Sequence, residues 1–215
     1  MRVRIETKRK NYAEAKLLEV EKRSEFETEQ RFQEISGGPY IHVPVAKQEE
    51  VKQESTLTNF ERLSGIKNVR DCFEGLISSP KHYFYRNKME YSFSSIEHDL
   101  ETNEELDDAF ALGFKRRGTW WKVESLNSAS GMFDEEWENK LREIRLYLKA
   151  TNLPAWHPPK KIGFFRHIVV RKSFYTNQIL INLVTSTDEE KQFNVSHFAD
   201  YLQKLLPGRI AGLWH

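Results

Sequence analysis

Aromatic and basic side chains occur together in one short segment of the sequence, a combination suited to binding RNA. The segment Lys81-His82-Tyr83-Phe84-Tyr85-Arg86-Asn87-Lys88 contains three consecutive aromatic rings flanked by cations. Flat rings stack on unpaired bases and cations neutralise phosphates, so the segment predicts contact with single-stranded or looped RNA. The alternative is an ordinary strand edge, with its rings buried and its cations solvated.

Two further basic clusters favour the RNA-binding interpretation. One is Lys115-Arg116-Arg117, just before Trp120 and Trp121, and the other surrounds Phe164 and Phe165. The members of the latter are Lys160, Lys161, Arg166, Arg171 and Lys172. If the strands that carry these clusters are neighbours in one sheet, the clusters form a continuous positive face. The residues that we assign to RNA binding are Tyr85, Arg86, Lys88, Lys115, Arg116, Arg117, Arg166 and Arg171.

The residue types needed for other kinds of site are missing or unfavourably spaced. Gly37-Gly38 lacks the third glycine and the lysine of a phosphate-binding loop. The seven histidines are scattered, and a single cysteine, Cys72, excludes an intramolecular disulfide and any cluster of Cys ligands. Because no activating base lies near it in the sequence, Cys72 is interpreted as a structural residue. We therefore predict no metal site.

Composition and charge are those of a folded protein outside the membrane. The 215 residues include 39% hydrophobic and 13% aromatic residues, which suffices for a packed core. The longest apolar runs, such as 179–184, are far shorter than the roughly 20 residues of a membrane-spanning helix. The basic residues near Met1 are not followed by an apolar stretch, so no secretory signal is expected. The sequence predicts a soluble, cytoplasmic protein.

Hydrophobic patterns indicate the elements that must position these residues. Alternation predicts strands over 89–93, 110–114, 164–170, 179–184 and 210–214. Helical spacing predicts helices over 47–63, 134–150 and 195–205, the last one capped by Asn194. The first two strands are expected to form an antiparallel hairpin, with the acidic stretch 97–108 as a solvated, mobile insertion. The predicted fold class is α+β, an antiparallel sheet with packed helices.

Several motifs, in the same order along the chain, resemble the RNA uracil-C5 methyltransferases, which make 5-methyluridine in bacterial rRNA and tRNA. Tyr85–Phe93 (YRNKMEYSF) resembles the family signature YRNKxxFS. Leu112–Gly118 (LGFKRRG) resembles the GFRRRG segment, and Gly163–Arg171 (GFFRHIVVR) resembles the LRHLVVR strand. Ile181–Thr185 is similar to the strand paired with the latter, and Lys10–Ala15 to the last strands of the N-terminal TRAM barrel.

The resemblance implies a three-part enzyme, with an RNA-binding barrel, a central RNA-contacting domain and a Rossmann-like domain that binds S-adenosylmethionine. It assigns residues 1–24 to the end of the barrel, 25–78 to a connector with a helix, and 79–215 to the central domain. In the family, a cysteine thiolate adds to C6 of the uracil, C5 takes the methyl group, and a carboxylate removes the C5 proton. We expect no complete Rossmann-like domain, catalytic residue or cofactor-binding residue in this chain.

One expected cofactor of the family has no ligands in this sequence. Many members carry an iron–sulfur loop, Cys-Gly-Gly-Cys, where this chain has Ser36-Gly37-Gly38-Pro39. Such clusters are held by Cys thiolates, which Ser36 and Pro39 do not provide. We therefore expect the protein to be iron-free.

Two hypotheses for function remain. The chain is either the RNA-recognition part of an S-adenosylmethionine-dependent methyltransferase, inactive alone, or a stand-alone non-catalytic RNA-binding or assembly module. Continuation of the reading frame past His215 into a methyltransferase domain would distinguish them. The first hypothesis is preferred because both ends of the chain fall within strand-like segments. It predicts an RNA partner, rRNA in preference to tRNA, no DNA or membrane partner, and a monomer.

The first hypothesis predicts that the 215-residue chain does not bind S-adenosylmethionine and does not methylate RNA. The reason is that the motifs which hold this cofactor in the family have no counterpart in the sequence. Calorimetric titration of the purified chain with S-adenosylmethionine should give no heat of binding, and micromolar affinity would contradict the prediction.

Overall fold

The computed structural model describes residues 32–187 and 193–215, and the described residues fall into two compact units. The first contains residues 42–78, and the second contains residues 32–41 together with the chain from Ser79 onward. Residues 1–24, which the resemblance assigns to the end of the barrel, lie outside the described residues, so this assignment stays a prediction.

The smaller unit is built on one long helix. Helix α1 (Val45–Ser64) ends at Gly65, whose φ of 71° is the left-handed conformation that glycine adopts without strain. A 3-10 helix (Val69–Cys72) follows. Arg70 lies 3.0 Å from carboxylate oxygens of both Glu54 and Glu61, so two ion pairs hold this turn against α1. The helix predicted over 47–63 is confirmed.

The larger unit contains an eight-stranded sheet in the order β3-β2-β5-β4-β1-β6-β7-β8. Its strands are β1 (Lys88–Ser94), β2 (Glu97–His98), β3 (Glu105–Leu106), β4 (Ala111–Lys115), β5 (Val123–Ser125), β6 (Phe165–Lys172), β7 (Ile179–Thr185) and β8 (Ile210–Trp214). β1 lies inside the sheet and pairs antiparallel with both β4 and β6. The predicted hairpin and the predicted α+β class are confirmed for this central part.

Two pairings differ from the predicted antiparallel sheet. β2 pairs with β5, and β7 pairs with β8, in parallel. A parallel neighbour requires a crossover, and helix α3 (Val195–Leu205) lies between β7 and β8 in the chain. Sequence alternation reports which residues are buried but not the direction of the neighbouring strand, so it did not distinguish these arrangements.

The acidic stretch 97–108 contributes two short strands to the sheet, although a loop was predicted, and residues 100–108 are exposed, as predicted for a solvated segment. It contains β2 and β3, which pair antiparallel at Glu97↔Leu106 and His98↔Glu105. The turn between them is fixed by Asp99, whose carboxylate accepts hydrogen bonds from the backbone N–H groups of Glu101 and Thr102 at 2.7 and 3.0 Å. Local side-chain bonds of this kind stabilise turns within strongly charged segments.

Residues 32–41 belong to the sheet unit, although the sequence places them in the connector. Phe32 and Ile35 are buried. The Gln33 side chain accepts a hydrogen bond from Asn127 N at 2.6 Å and donates one to Ser125 O at 2.7 Å. These contacts between residues distant in sequence hold the segment 32–41 against the end of β5 and the residues after it. The local sequence of a polar loop does not indicate such contacts.

Helix α2 (Glu135–Lys149) packs against the core side of the sheet. The helix predicted over 134–150 is confirmed, and it buries Trp137, Leu141, Ile144 and Leu148, which recur at helical spacing. Asp134 caps the helix by accepting a hydrogen bond from Trp137 N at 2.9 Å. The same carboxylate accepts from Lys172 Nζ at 2.6 Å and from Arg209 Nη2 at 2.8 Å. One buried acid therefore fixes the start of α2 relative to β6 and to the turn before β8.

Helix α3 packs beside α2 through aromatic rings. The Asn194 side chain accepts a hydrogen bond from His197 N at 3.0 Å, which confirms the predicted cap. Phe198 and Leu202 are buried. The ring of Tyr147 on α2 stacks on Tyr201, with centroids 4.1 Å apart and an interplanar angle of 17°.

A buried polar network joins β1 to α2. The Tyr91 hydroxyl donates to Glu138 Oε1 at 2.9 Å, and Ser130 donates to Glu138 through both its N–H and its hydroxyl. Both Tyr91 and Glu138 are fully buried. Burial disfavours the charged carboxylate and raises the pKa of Glu138 to about 7, against an ordinary value of 4.5. The hydrogen bonds from Ser130 and Tyr91 oppose this shift.

The raised pKa of Glu138 predicts that stability falls as the pH rises from about 4.5 to about 7 and slightly beyond. In this range the folded protein holds a proton that the unfolded chain has released. The cost is about 2–3 kcal/mol between pH 5 and pH 8, at roughly 1.4 kcal/mol per pKa unit. Glu138→Gln should remove this loss, as measured by urea unfolding at the two pH values.

The comparison of parent and variant cancels the other titrating groups. Burial lowers the pKa of His167 below its ordinary value of 6.5. The stability that His167 contributes therefore rises with pH up to about pH 6.5, which is opposite to the trend for Glu138. Burial opposes ionisation of Asp134, but hydrogen bonds from Lys172, Trp137 N and Arg209 outweigh it and lower the pKa of Asp134 below its ordinary value of 3.8. Asp134 therefore titrates below the tested pH range. An equal pH dependence in Glu138→Gln and the parent would contradict the assignment.

Candidate nucleic-acid interface

A pocket of about 380 Å³ lies where β1 begins and β4 ends. Three cationic side chains line it, Arg86, Lys88 and Lys115, together with the carboxylate of Glu90. Its apolar lining consists of Ile35, Met89, Phe114 and Met132. Pockets that bind small organic groups combine an apolar surface with a few polar groups, and this volume is within their usual range.

Buried and charged side chains alternate along β1, and this alternation brings two charged side chains to the pocket. Met89, Tyr91 and Phe93 are buried in the core, so the intervening Lys88 and Glu90 extend on the other side of the strand and are exposed. In the β1–β6 register Lys88 is opposite Arg171. Residues directly opposite each other in a sheet project from the same face. Arg171 therefore extends the positive surface next to the pocket.

Arg116 has a structural role in this arrangement. Its guanidinium lies 3.2 Å from Glu124 Oε1, and the Glu124 side chain is fully buried. Ser36 N donates to the other carboxylate oxygen of Glu124 at 2.9 Å. A buried carboxylate without a partner is costly, so Arg116 is needed to satisfy Glu124. Its use as an RNA contact stays a prediction.

Gly113, in the LGFKRRG motif, is required because β4 and β5 approach each other closely at this position. A Cβ atom on Gly113 would lie 2.0 Å from Glu124 O and 2.7 Å from Leu126 N. Both are backbone atoms of the neighbouring chain segment and cannot move away without disrupting the β4–β5 pairing. The glycine in LGFKRRG thus lets β5 bring Glu124 to Arg116.

The remaining predicted residues are not all in one place. Arg117 is exposed, and its backbone N–H donates to Ser36 Oγ at 2.8 Å. Tyr85 is exposed, with the Arg86 guanidinium 6.0 Å from its ring centroid. Arg166 lies at the far end of β6, with its guanidinium 4.5 Å above the Trp156 ring. The five residue steps from Arg166 to Arg171 span about 16 Å of strand, so the predicted single patch is extended along β6.

Ser92, His167 and Glu90 lie together on the side of β1 and β6 that faces away from α2, but their geometry does not form a catalytic triad. Ser92 Oγ is 3.3 Å and Glu90 Oε1 is 3.5 Å from the same atom, His167 Nδ1. A proton relay needs its two partners on different ring nitrogens. Burial lowers the pKa of His167, Lys115 and Arg166 lower it further, and Glu90 opposes them. The imidazole is therefore neutral at pH 7.

Some pocket residues were not identified from the sequence. Glu90 lies inside the YRNKMEYSF motif, and its position two residues after Lys88 is the signal that could have placed it on the same side. Ile35 and Met132 come from distant loops and have no such signal, because only tertiary contacts bring them to β1.

The residues at the expected iron–sulfur loop do not fit a cluster. Ser36 offers a hydroxyl that already accepts the Arg117 N–H, and Pro39 has no ligand atom in its side chain. Within residues 32–187 and 193–215, no group of three His, Cys, Asp or Glu side chains is arranged to hold a metal ion. Among the same described residues, no helix is both long enough and apolar enough to cross a membrane.

The ion pair of Arg116 gives a stability prediction. Arg116→Ala should destabilise the protein by about 1–3 kcal/mol, because the buried Glu124 carboxylate then keeps, among the described residues, only its bond to Ser36 N. Arg117→Ala is the matched control, since the neighbouring side chain is exposed and only its backbone is bonded. Urea denaturation of both variants tests this, and equal stability of the two would show that the pair contributes nothing.

Comparison with known proteins identifies relatives that are longer than this chain. No family model matches it. An uncharacterized RNA methyltransferase of Clostridium tetani is 30% identical over 218 aligned positions, which cover 99% of this chain and 44% of that protein. The tRNA (uracil(54)-C(5))-methyltransferase of Pyrococcus horikoshii is 26% identical over 126 positions, covering 59% of this chain and 27% of that protein. The chain thus spans less than half the length of these relatives.

A solved structure is also similar. It is the tRNA (uracil-54, C5)-methyltransferase of Pyrococcus abyssi in complex with S-adenosyl-L-homocysteine, with a TM-score of 0.49 and 20% identity over 80% of this chain and 35% of that one. The family identification rests on the ordered motifs and the sequence relatives. Together they show that the chain belongs to the RNA uracil-C5 methyltransferase family.

Proposed function

We propose that this chain is the RNA-recognition part of an S-adenosylmethionine-dependent RNA uracil-C5 methyltransferase that forms 5-methyluridine, in rRNA in preference to tRNA. S-adenosylmethionine would supply the methyl group in the whole enzyme, and no residue of this chain is assigned to hold it. The observation that carries the proposal is the pocket lined by Arg86, Lys88 and Lys115 over an apolar surface.

The charges of the pocket support RNA as the ligand. Among the described residues, none of these three cations has a carboxylate oxygen within 4.0 Å, and Lys88 and Lys115 are exposed. Unpaired cations can exchange counterions for phosphates, which is the main source of affinity for nucleic acids. Arg171, opposite Lys88, adds a further cation along the same face.

The apolar lining and Glu90 supply contacts that a phosphate does not use. Met89 and Phe114 present apolar atoms to the pocket, and Glu90 offers an acceptor beside them. An unstacked base can pack on such a surface and donate its N–H groups to a carboxylate. The combination favours a looped or single-stranded segment over a regular duplex, whose bases are not accessible in this way.

Removal of the two exposed lysines of the pocket tests the proposal. The Lys88→Ala, Lys115→Ala double variant should bind a uridine-containing RNA hairpin at least several-fold more weakly than the parent. If each lysine contacts one phosphate, the slope of log affinity against log salt should decrease by about 1.4–1.8. Fluorescence anisotropy at several salt concentrations measures both quantities, with an rRNA hairpin and a tRNA as parallel probes.

The control removes the same charge from the opposite side of the sheet. Lys149→Ala with Lys204→Ala takes two exposed lysines from α2 and α3 and should leave the affinity and the slope near those of the parent. If both double variants weaken binding equally, only net charge matters and the pocket loses its assigned role. Tighter binding of tRNA than of the rRNA hairpin would contradict the stated preference.

A further inference from the structure

The tip of the β6–β7 hairpin, residues 173–178, presents an almost completely exposed aromatic ring. Tyr175 is 99% exposed and its neighbour Phe174 is 51% exposed. Single exposed apolar residues are common and alone indicate nothing. At this tip, however, Tyr175 is on a hydrogen-bonded turn and its neighbour Phe174 contacts cations. The tip also lies at the end of the sheet where the pocket is.

The turn that carries Tyr175 is held by four hydrogen bonds. Ser173 N donates to Gln178 O at 2.9 Å, and Arg209 Nε donates to Asn177 O at 2.7 Å. Thr176 N donates to Ser173 Oγ at 3.1 Å and Gln178 N to Thr176 Oγ1 at 3.4 Å. The backbone of the tip is therefore ordered before any ligand arrives, which lowers the entropy cost of binding.

Cations surround the ring next to Tyr175. Lys81 Nζ lies 4.3 Å from the centroid of the Phe174 ring, and Lys172 Nζ lies 5.5 Å from it. Lys172 is neutralised by Asp134, at 2.6 Å. Lys81 and Arg171 have no carboxylate within 4.0 Å among the residues that the structure describes. The tip thus combines exposed rings with cations that are free to meet phosphates.

The position of the tip makes it an extension of the pocket. Lys88, which lines the pocket, is opposite Arg171 on β6. Tyr175 follows Arg171 by four residues, and four residues of extended chain span at most about 13 Å. The distance corresponds to a short stretch of single-stranded chain running from the pocket to the tip.

We propose that Tyr175 is a stacking platform for an unpaired base of RNA, adjacent to phosphates bound by Lys81 and Arg171. The inference rests on the proposed function, because it assumes that this chain binds RNA. Aromatic rings accept any base on their flat face, so the platform adds affinity with little sequence preference. The polar side chains of the turn, with Ser173, Thr176 and Asn177, favour this ligand over an apolar protein surface.

Removal of the ring gives the main test. Tyr175→Ala should weaken binding of the uridine-containing hairpin by roughly 5- to 150-fold, the range for loss of one stacked base. The salt slope should not change, because no charge is removed. Tyr175→Phe keeps the ring and should bind within about twofold of the parent. Phe60→Ala, which removes a 59% exposed ring from α1, is the matched control and should have no effect.

Photocrosslinking gives a readout that a loss of fold would not imitate. A hairpin with 5-iodouridine in its loop should crosslink to the tryptic peptide 173–191, which contains Tyr175 and begins directly after Lys172. Because Tyr175 is nearly fully exposed, the variants should unfold at the same urea concentration as the parent.

The outcomes separate this inference from the proposed function. If the parent binds RNA through Lys88 and Lys115 while Tyr175→Ala binds equally well, the platform is disproved and the proposed function stands. If only Tyr175→Ala weakens binding, the platform stands and the pocket is disproved. If the parent does not bind the hairpin, both are wrong. If Tyr175→Ala instead changes self-association in sedimentation, the ring serves a protein contact and the inference is overturned.

Discussion

The structure depends on the burial of every second side chain of β1 against α2. Met89, Tyr91 and Phe93 enter the core, and Tyr91 is bonded there to the buried Glu138. A shift of one residue in the register would bury Lys88 and Glu90 and expose three large apolar side chains. The packing of the core therefore determines which side of the strand carries charge, and the pocket lies at the start of β1, where core residues such as Met89 meet the charged Lys88 and Glu90.

Buried carboxylates divide the cations of the sheet unit into two groups. Asp134 binds Lys172 and Arg209, and Glu124 binds Arg116, so these cations compensate acids that would otherwise destabilise the fold. Among the described residues, Lys88 and Lys115 have no carboxylate oxygen within 4.0 Å, and the proposed function assigns these two cations to phosphates. The near-zero net charge of the chain hides this division, because it counts both groups alike.

Period-two and helical spacing predicted the helices and the central strands, since those patterns arise from burial against the adjacent layer. They did not predict the parallel pairing of β7 and β8, or the inclusion of β2 and β3 in the sheet, because the order of strands depends on contacts distant in sequence. The basic residues of the pocket were found from composition. Ile35 and Met132 were not, since their role exists only after the loops have folded against β1.

The LGFKRRG motif illustrates how one short segment can combine different physical roles. Gly113 allows the close approach of β5, Arg116 compensates Glu124, and Lys115 reaches the pocket. The first two roles leave little freedom of substitution, because a Cβ at Gly113 would meet backbone atoms and the buried Glu124 carboxylate needs a cation. The third is a surface charge, which a lysine or arginine at a nearby position can also supply.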